Sequence, residues 1–162
     1  MIDLKLLDKH IHQFPGYAKA FVFAYIVALS FGYISGYKYL FRTTEMKPNG
    51  IEVNYNGNEE DEHAEKMVFR KPEKEMLTII HTHATSMAQI FFCLGLVLLF
   101  AKIPEKLKTI LLVEPFVSII LTFGGIWLLW KGVLWMKYIV MFSGIIMTLS
   151  VFAIVLILLW QL

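Results

Sequence analysis

A chain of 162 residues, 57% hydrophobic and with a formal net charge of only +2, lacks the basic excess that nucleic-acid binding requires. Its charges gather before the first apolar stretch, between Lys38 and Glu75, around Lys102 to Lys108, and at Lys131 and Lys137, which excludes an evenly solvated globular surface. One domain, residues 1–162, accounts for the whole pattern.

Residues 1–15 form the first expected element. Leu4, Leu7, Ile11 and Phe14 recur at helical spacing opposite Asp3, Lys5, Asp8, Lys9 and His12, the pattern of a short helix lying in the membrane interface. Pro15-Gly16 then breaks it. The apolar run after this break is long for the core of a secretory signal, so it is read as a retained membrane helix.

Four charge-poor stretches, Ala20 to Tyr37, Met76 to Ala101, Thr109 to Trp130 and Tyr138 to Leu162, are each long enough to cross a bilayer. At about 1.5 Å per residue even the shortest covers about 27 Å, against about 30 Å of hydrocarbon. A helix satisfies its own backbone polar groups there, so the predicted fold is all-α: a polytopic bundle of four antiparallel transmembrane helices. Such a threading puts residues 42–75 and the Lys131 to Lys137 turn at one membrane face. The N-terminus, the Lys102 to Lys108 turn and the C-terminus share the other.

Within the first span Gly16, Ala20, Ala24, Ala28, Gly32 and Gly36 follow one another at every fourth position, beside a bulky row of Tyr17, Phe21, Tyr25, Leu29, Tyr33 and Tyr37. Small residues let membrane helices approach closely. Packing inside the bundle is the first expectation for this row, and a contact with another subunit the second. Because four residues advance a helix by about 400°, the row drifts by about 40° per step and cannot serve one neighbour over its whole length.

The loop at 42–75 carries the turn signals Pro48-Asn49-Gly50 and Tyr55-Asn56-Gly57-Asn58, with a short hairpin expected around Ile51 to Tyr55. Its acidic run, Glu59-Glu60-Asp61-Glu62-His63, reads as a solvated face, with a cation site as the alternative. The span after Lys108 is expected to start with Pro104 in its first turn and to be interrupted at Glu114-Pro115. In the last span Ser143-Gly144 and Thr148 offer small packing residues, and Trp135 and Trp160 stand where interface anchors belong. Cys93, the single cysteine, reads as a packing residue.

Chemistry concentrates at His81-Thr82-His83 and Met87, where the second span enters the membrane. Imidazoles and a thioether suit a transition metal or a haem iron, so His81, His83 and Met87 are the cofactor candidates, with His63 completing a metal set. His81 and His83 are two positions apart and point to nearly opposite sides of a regular helix. Their alternative reading is that of polar residues satisfied at the membrane boundary, His81 facing a neighbouring helix beside Ala84 and Ala88. A haem b would need a second axial ligand from His63, from Met136 or Met141, or from another subunit, or else a five-coordinate iron. Glu114 is an intramembrane charge that must face the bundle, a water cavity or a basic partner such as Lys108 across a subunit contact, as structural pairing or as a proton or cation path. No catalytic triad, paired-carboxylate site or phosphate-binding loop is present, so an independent enzyme is not expected.

The stretch Gly50 to Glu59, the segment Lys74 to Leu77, and His81-Thr82-His83 through Ser86-Met87 resemble a group of uncharacterised bacterial four-helix membrane proteins. That resemblance implies four spans and a bacterial inner membrane, and carries no activity with it. The functional expectation is a non-catalytic helical subunit or assembly partner of a larger, plausibly respiratory, membrane complex, in contact with lipid and with other subunits or copies of itself. The alternatives are a haem- or metal-binding redox protein using His81 and His83, and a small proton- or ion-conducting unit using Glu114 with Gln89.

Overall fold

The computed structural model describes residues 10–61 and 63–162. Most of the expected interfacial helix, including Leu4 and Leu7, lies outside the described residues, as does Glu62 of the acidic run. Ile11–Gln13 form a single 3-10 turn, tied to the bundle by the Ile11 N–H donating to the Phe100 carbonyl at 3.1 Å and by Phe14 edge-on against Phe100.

Five α-helices account for the fold: α1 Gly16–Thr44, α2 Pro48–Asn56, α3 Glu73–Leu98, α4 Glu105–Trp130 and α5 Met136–Gln161. All but α2 are long and apolar enough to cross a membrane. No strand occurs among the described residues. The fold is thus an antiparallel bundle of four spans, a multi-pass membrane protein.

The expected hairpin at Ile51 to Tyr55 is replaced by α2. Pro48, a turn residue by its sequence context, takes the first helical position, where its missing N–H costs nothing. Pro104 sits one position earlier than expected, as the N-cap of α4. Nor does Glu114-Pro115 interrupt that helix. It is continuous from Glu105 to Trp130, with Pro115 buried inside it.

The bundle core runs from Ile11 through Val22 and Ile26 of α1, Phe91, Leu94 and Leu98 of α3, Leu111 and Ile119 of α4, to Met147, Val151, Ile154 and Leu158 of α5. A second cluster joins α2 to the far end of the bundle through Ile51, Met76, Ile126, Leu129, Trp130 and Val140. Two glycines mark the closest helix approaches. A Cβ at Gly95 would lie 3.1 Å from Leu112 Cδ2, and one at Gly125 would lie 2.8 Å from Val140 Cγ2.

Between α1 and α2 the chain reverses through Glu45 and Met46, both left-handed at φ 52° and 56°. Non-glycine residues there cost free energy, so the turn must be held from outside. Thr44, 1% exposed, holds it: its hydroxyl donates to the Leu40 carbonyl at 2.9 Å and accepts from the Met46 N–H at 3.2 Å. Gly50 packs directly on this turn, and a Cβ there would fall 1.9 Å from the Thr44 carbonyl oxygen. Gly50→Ala is therefore expected to destabilise the protein by at least about 2 kcal/mol, whereas Gly124→Ala stays within about 0.5 kcal/mol of wild type. Thermal unfolding of both variants in detergent checks the contrast.

Candidate functional site

Three groups of polar residues carry whatever chemistry the bundle has. The first lies along the seam of α4 and α5. Glu114 Oε1 accepts a hydrogen bond from the Ser118 hydroxyl one turn along α4, and Oε2 accepts one from Ser150 across the interface. Two turns along α4 from Glu114, Thr122 and Ser143 share a hydroxyl contact at 2.7 Å. Ser118, Thr122, Ser143 and Ser150 are all buried, and four-residue spacing along α4 aligns Glu114, Ser118 and Thr122 on the face that meets α5.

Glu114 therefore faces the bundle, as the cost of a carboxyl group in hydrocarbon requires. Lys108 is not its partner in the chain, since that ammonium donates to the Leu99 carbonyl at 3.0 Å. Pro115 adds to the polarity of this region. Having no N–H, it leaves the Leu111 carbonyl without its helical donor.

The second group caps the end of the bundle opposite the N-terminus. Asn56 Nδ2 donates to the Leu129 carbonyl at 3.0 Å, and the Arg70 guanidinium donates to the Trp130 carbonyl at 2.6 Å. Both carbonyls belong to the last turn of α4, the negative end of the helix dipole; Leu129 also accepts from the Gly132 N–H at 3.0 Å. Arg70 also lies 5.0 Å over the Trp130 ring, whose indole N–H donates to the Lys71 carbonyl at 2.8 Å. Lys137 anchors α2 from the other side, through Glu52 at 2.7 Å and Asn49 at 2.9 Å. Burial pushes the Tyr55 phenol up to about 12. The acidic run is partly engaged: Glu59 accepts from the Arg70 N–H, and Asp61 from the His63 N–H.

The histidines form no common site. α3 is regular through His81 and His83, which flank its bundle-facing sector on opposite sides. His81, expected to face a helix, is exposed, because the sector that packs is centred on Phe91, Leu94, Gly95 and Leu98. The His83 ring stacks on Phe123 of α4 at 5.9 Å between centroids and 7° between planes. Met87 packs against the core, and His63 is exposed in the loop. No group of three His, Cys, Asp or Glu side chains that could hold a metal ion occurs among the described residues.

The third group comprises outward faces. Every member of the small-residue row, Gly16, Ala20, Ala24, Ala28, Gly32 and Gly36, is exposed. A Cβ at Gly16, Gly32 or Gly36 would meet nothing within 4 Å. Packing inside the bundle, the first expectation for this row, is overturned. Instead α1 meets the bundle with its bulky side: Val22 and Ile26 are buried, Tyr33 donates to Thr148 at 2.9 Å, and the Tyr25 hydroxyl reaches the Ile90 carbonyl at 3.4 Å. On α3 the exposed face carries Thr78, Thr82, Thr85, Ser86, Gln89 and Cys93, all directed away from the core, together with Leu77, Phe92 and Leu96. Cys93, which the sequence suggests as buried packing, is thus on the surface.

A family model described as a transmembrane helical domain matches residues 45–162, the part of the chain from the turn before α2 to the end of α5. No curated protein and no solved structure matches the chain.

Because Glu114 bonds Ser150 across the α4–α5 interface, the two are expected to be energetically coupled. A double-mutant cycle of Glu114→Leu and Ser150→Ala, read by reversible unfolding in mixed micelles, should give a coupling of about 0.6–1.7 kcal/mol. Glu114→Gln, which retains an acceptor and adds a donor, should lose less than Glu114→Leu.

Proposed function

The chain belongs to the Aq_1264_TM family of transmembrane helical domains, and from that premise we propose that it is a non-catalytic assembly subunit of a larger complex in a bacterial inner membrane. The observation that carries this reading is the outward small-residue row of α1. Ala24 and Ala28 stand on the side of α1 opposite the buried Val22 and Ile26, in a membrane helix that offers its bulky side to its own bundle. Small residues against lipid gain nothing from being small. Against another helix they allow backbone approach and the dispersion contacts that replace hydrophobic burial in a bilayer. The residues that match the family model begin at Glu45, so the proposed contact helix lies outside the matched residues.

A second reading is favoured by a separate observation. Glu114, held between Ser118 and Ser150 beside the Leu111 carbonyl, is a polar cluster within a membrane span, and such clusters mark proton and ion paths. Under this reading Glu114→Gln abolishes proton or cation flux in proteoliposomes while the fold persists. Equal flux from both proteins removes it.

For the assembly reading, Ala24→Leu combined with Ala28→Leu is expected to lower the apparent mass of the protein extracted from native membranes, on a native gel, without reducing membrane insertion. An unchanged migration of the double variant would count against α1 as the contact helix.

A further inference from the structure

We propose that the outward face of α3 is a homodimer seam in which Gln89 of one copy hydrogen-bonds Gln89 of a second copy across a two-fold axis along the membrane normal. The inference goes beyond the proposed role of α1. It concerns a different helix and holds whether or not α1 binds a further subunit.

Its basis is the depth and direction of one amide. Gln89 lies sixteen residues after Glu73 and nine before Leu98, so along the helix it is about 24 Å from one end of α3 and about 14 Å from the other. It is exposed, and its side chain makes no hydrogen bond among the described residues. Serine and threonine on a membrane helix can return their hydroxyl to a backbone carbonyl of the preceding turn, as Thr78 does to Lys74. An amide has two donors and an acceptor, and Gln89 makes no such local bond. Left in hydrocarbon, it is a strong call for a partner.

The neighbours of Gln89 define the shape of that partner. Thr82, Ser86, Gln89, Cys93 and Leu96 are all exposed and follow one another in steps of four, three, four and three. That is the period of the seam between two helices crossing in the left-handed sense. Ser86 and Cys93, the seam positions on either side of Gln89, are small, while Phe92 is exposed at the edge of the seam.

A second copy is the occupant that fits. Copies threaded in the same direction carry Gln89 at one depth, and a two-fold axis along the normal brings each seam position to its own counterpart. A carboxamide is its own complement, since each can donate to and accept from the other. The chain offers no substitute: its other glutamines are Gln13, before α1, and Gln161, at the end of α5.

Cys93, one turn from Gln89 on the same face and the only cysteine, provides the reporter. In native membranes a short bifunctional maleimide is expected to join Cys93 to Cys93 and give a covalent dimer. Cys93→Ser abolishes the product, Gln89→Leu strongly reduces it, and Gln89→Asn retains most of it. In detergent, sedimentation equilibrium of the uncrosslinked full chain should show dissociation about tenfold weaker in wild type than in Gln89→Leu, whose monomer stays folded because leucine suits a lipid-facing site. The proposal is overturned if wild-type Cys93 reacts fully with a monofunctional maleimide yet yields no dimer. It is equally overturned if Gln89→Leu crosslinks and sediments as wild type does, or if the only adduct joins Cys93 to a different polypeptide. Ala24→Leu with Ala28→Leu, which tests the α1 contact, should leave the Cys93 crosslink unchanged.

Discussion

Hydrocarbon offers no hydrogen-bond partner, so every polar group carried into it must be answered by the protein itself. Helix formation answers the backbone groups. The side chains then have to be paired between helices, and the pairs that result fix how the helices sit. Glu114 with Ser118 and Ser150, and Thr122 with Ser143, line one seam and hold α4 to α5. Tyr33 with Thr148 and Tyr25 with the Ile90 carbonyl hold α1 to α5 and α3. At the far end the same requirement draws the loop in: the last carbonyls of α4 are met by Asn56 and Arg70, which turns a water-exposed connection into an ordered cap.

Two regimes of packing result. Where small residues face inward, at Gly95 and Gly125, helices close to the point that a methyl group would collide. Where α1 meets the bundle, aromatic and branched side chains stand between the backbones, and the small residues look outward. The helix with the most regular small-residue pattern is thus the one that uses it least within its own chain. Since dispersion contacts and interhelical hydrogen bonds are what bind membrane helices, the α4–α5 pair forms the most extensively packed part of the molecule and α1 its lightly attached edge.

Much of this architecture is legible in the sequence, because the bilayer imposes a length and a polarity that few other environments would. The four spans appear with their order and their depth, and Glu114 is marked as inward-facing by the cost of its charge. The direction in which each helix faces is much less legible. A row of alanines and glycines reads the same whether the neighbour is a helix of the same chain or of another, and only the placement of Val22, Ile26 and Tyr33 on the opposite side decides it. His81 illustrates the same gap, since adjacent alanines suggest a packed sector while the face that packs turns on Phe91 and Leu94. The loop is opaque for another reason. Pro48, Asn49 and Gly50 satisfy turn rules and helix-start rules alike, and contact of Ile51 with Met76 and Trp130, distant in sequence, selects the helix.

The outward polarity of α3 bears on what the single chain can be. Its neighbours α4 and α5 bury Ser118, Thr122, Ser143 and Ser150, so exposure of hydroxyls is not forced by composition. A helix free to rotate about its axis in lipid would turn Gln89 inward and Phe91 and Leu94 outward. It is held the other way by the close approach of Gly95 to Leu112 and by the stacking of His83 on Phe123. The bundle therefore spends part of its packing energy keeping an amide at the surface, in the one place where hydrocarbon penalises it. Under the proposed pairing of two copies, a second protein surface converts the exposed amide from a cost into a contact.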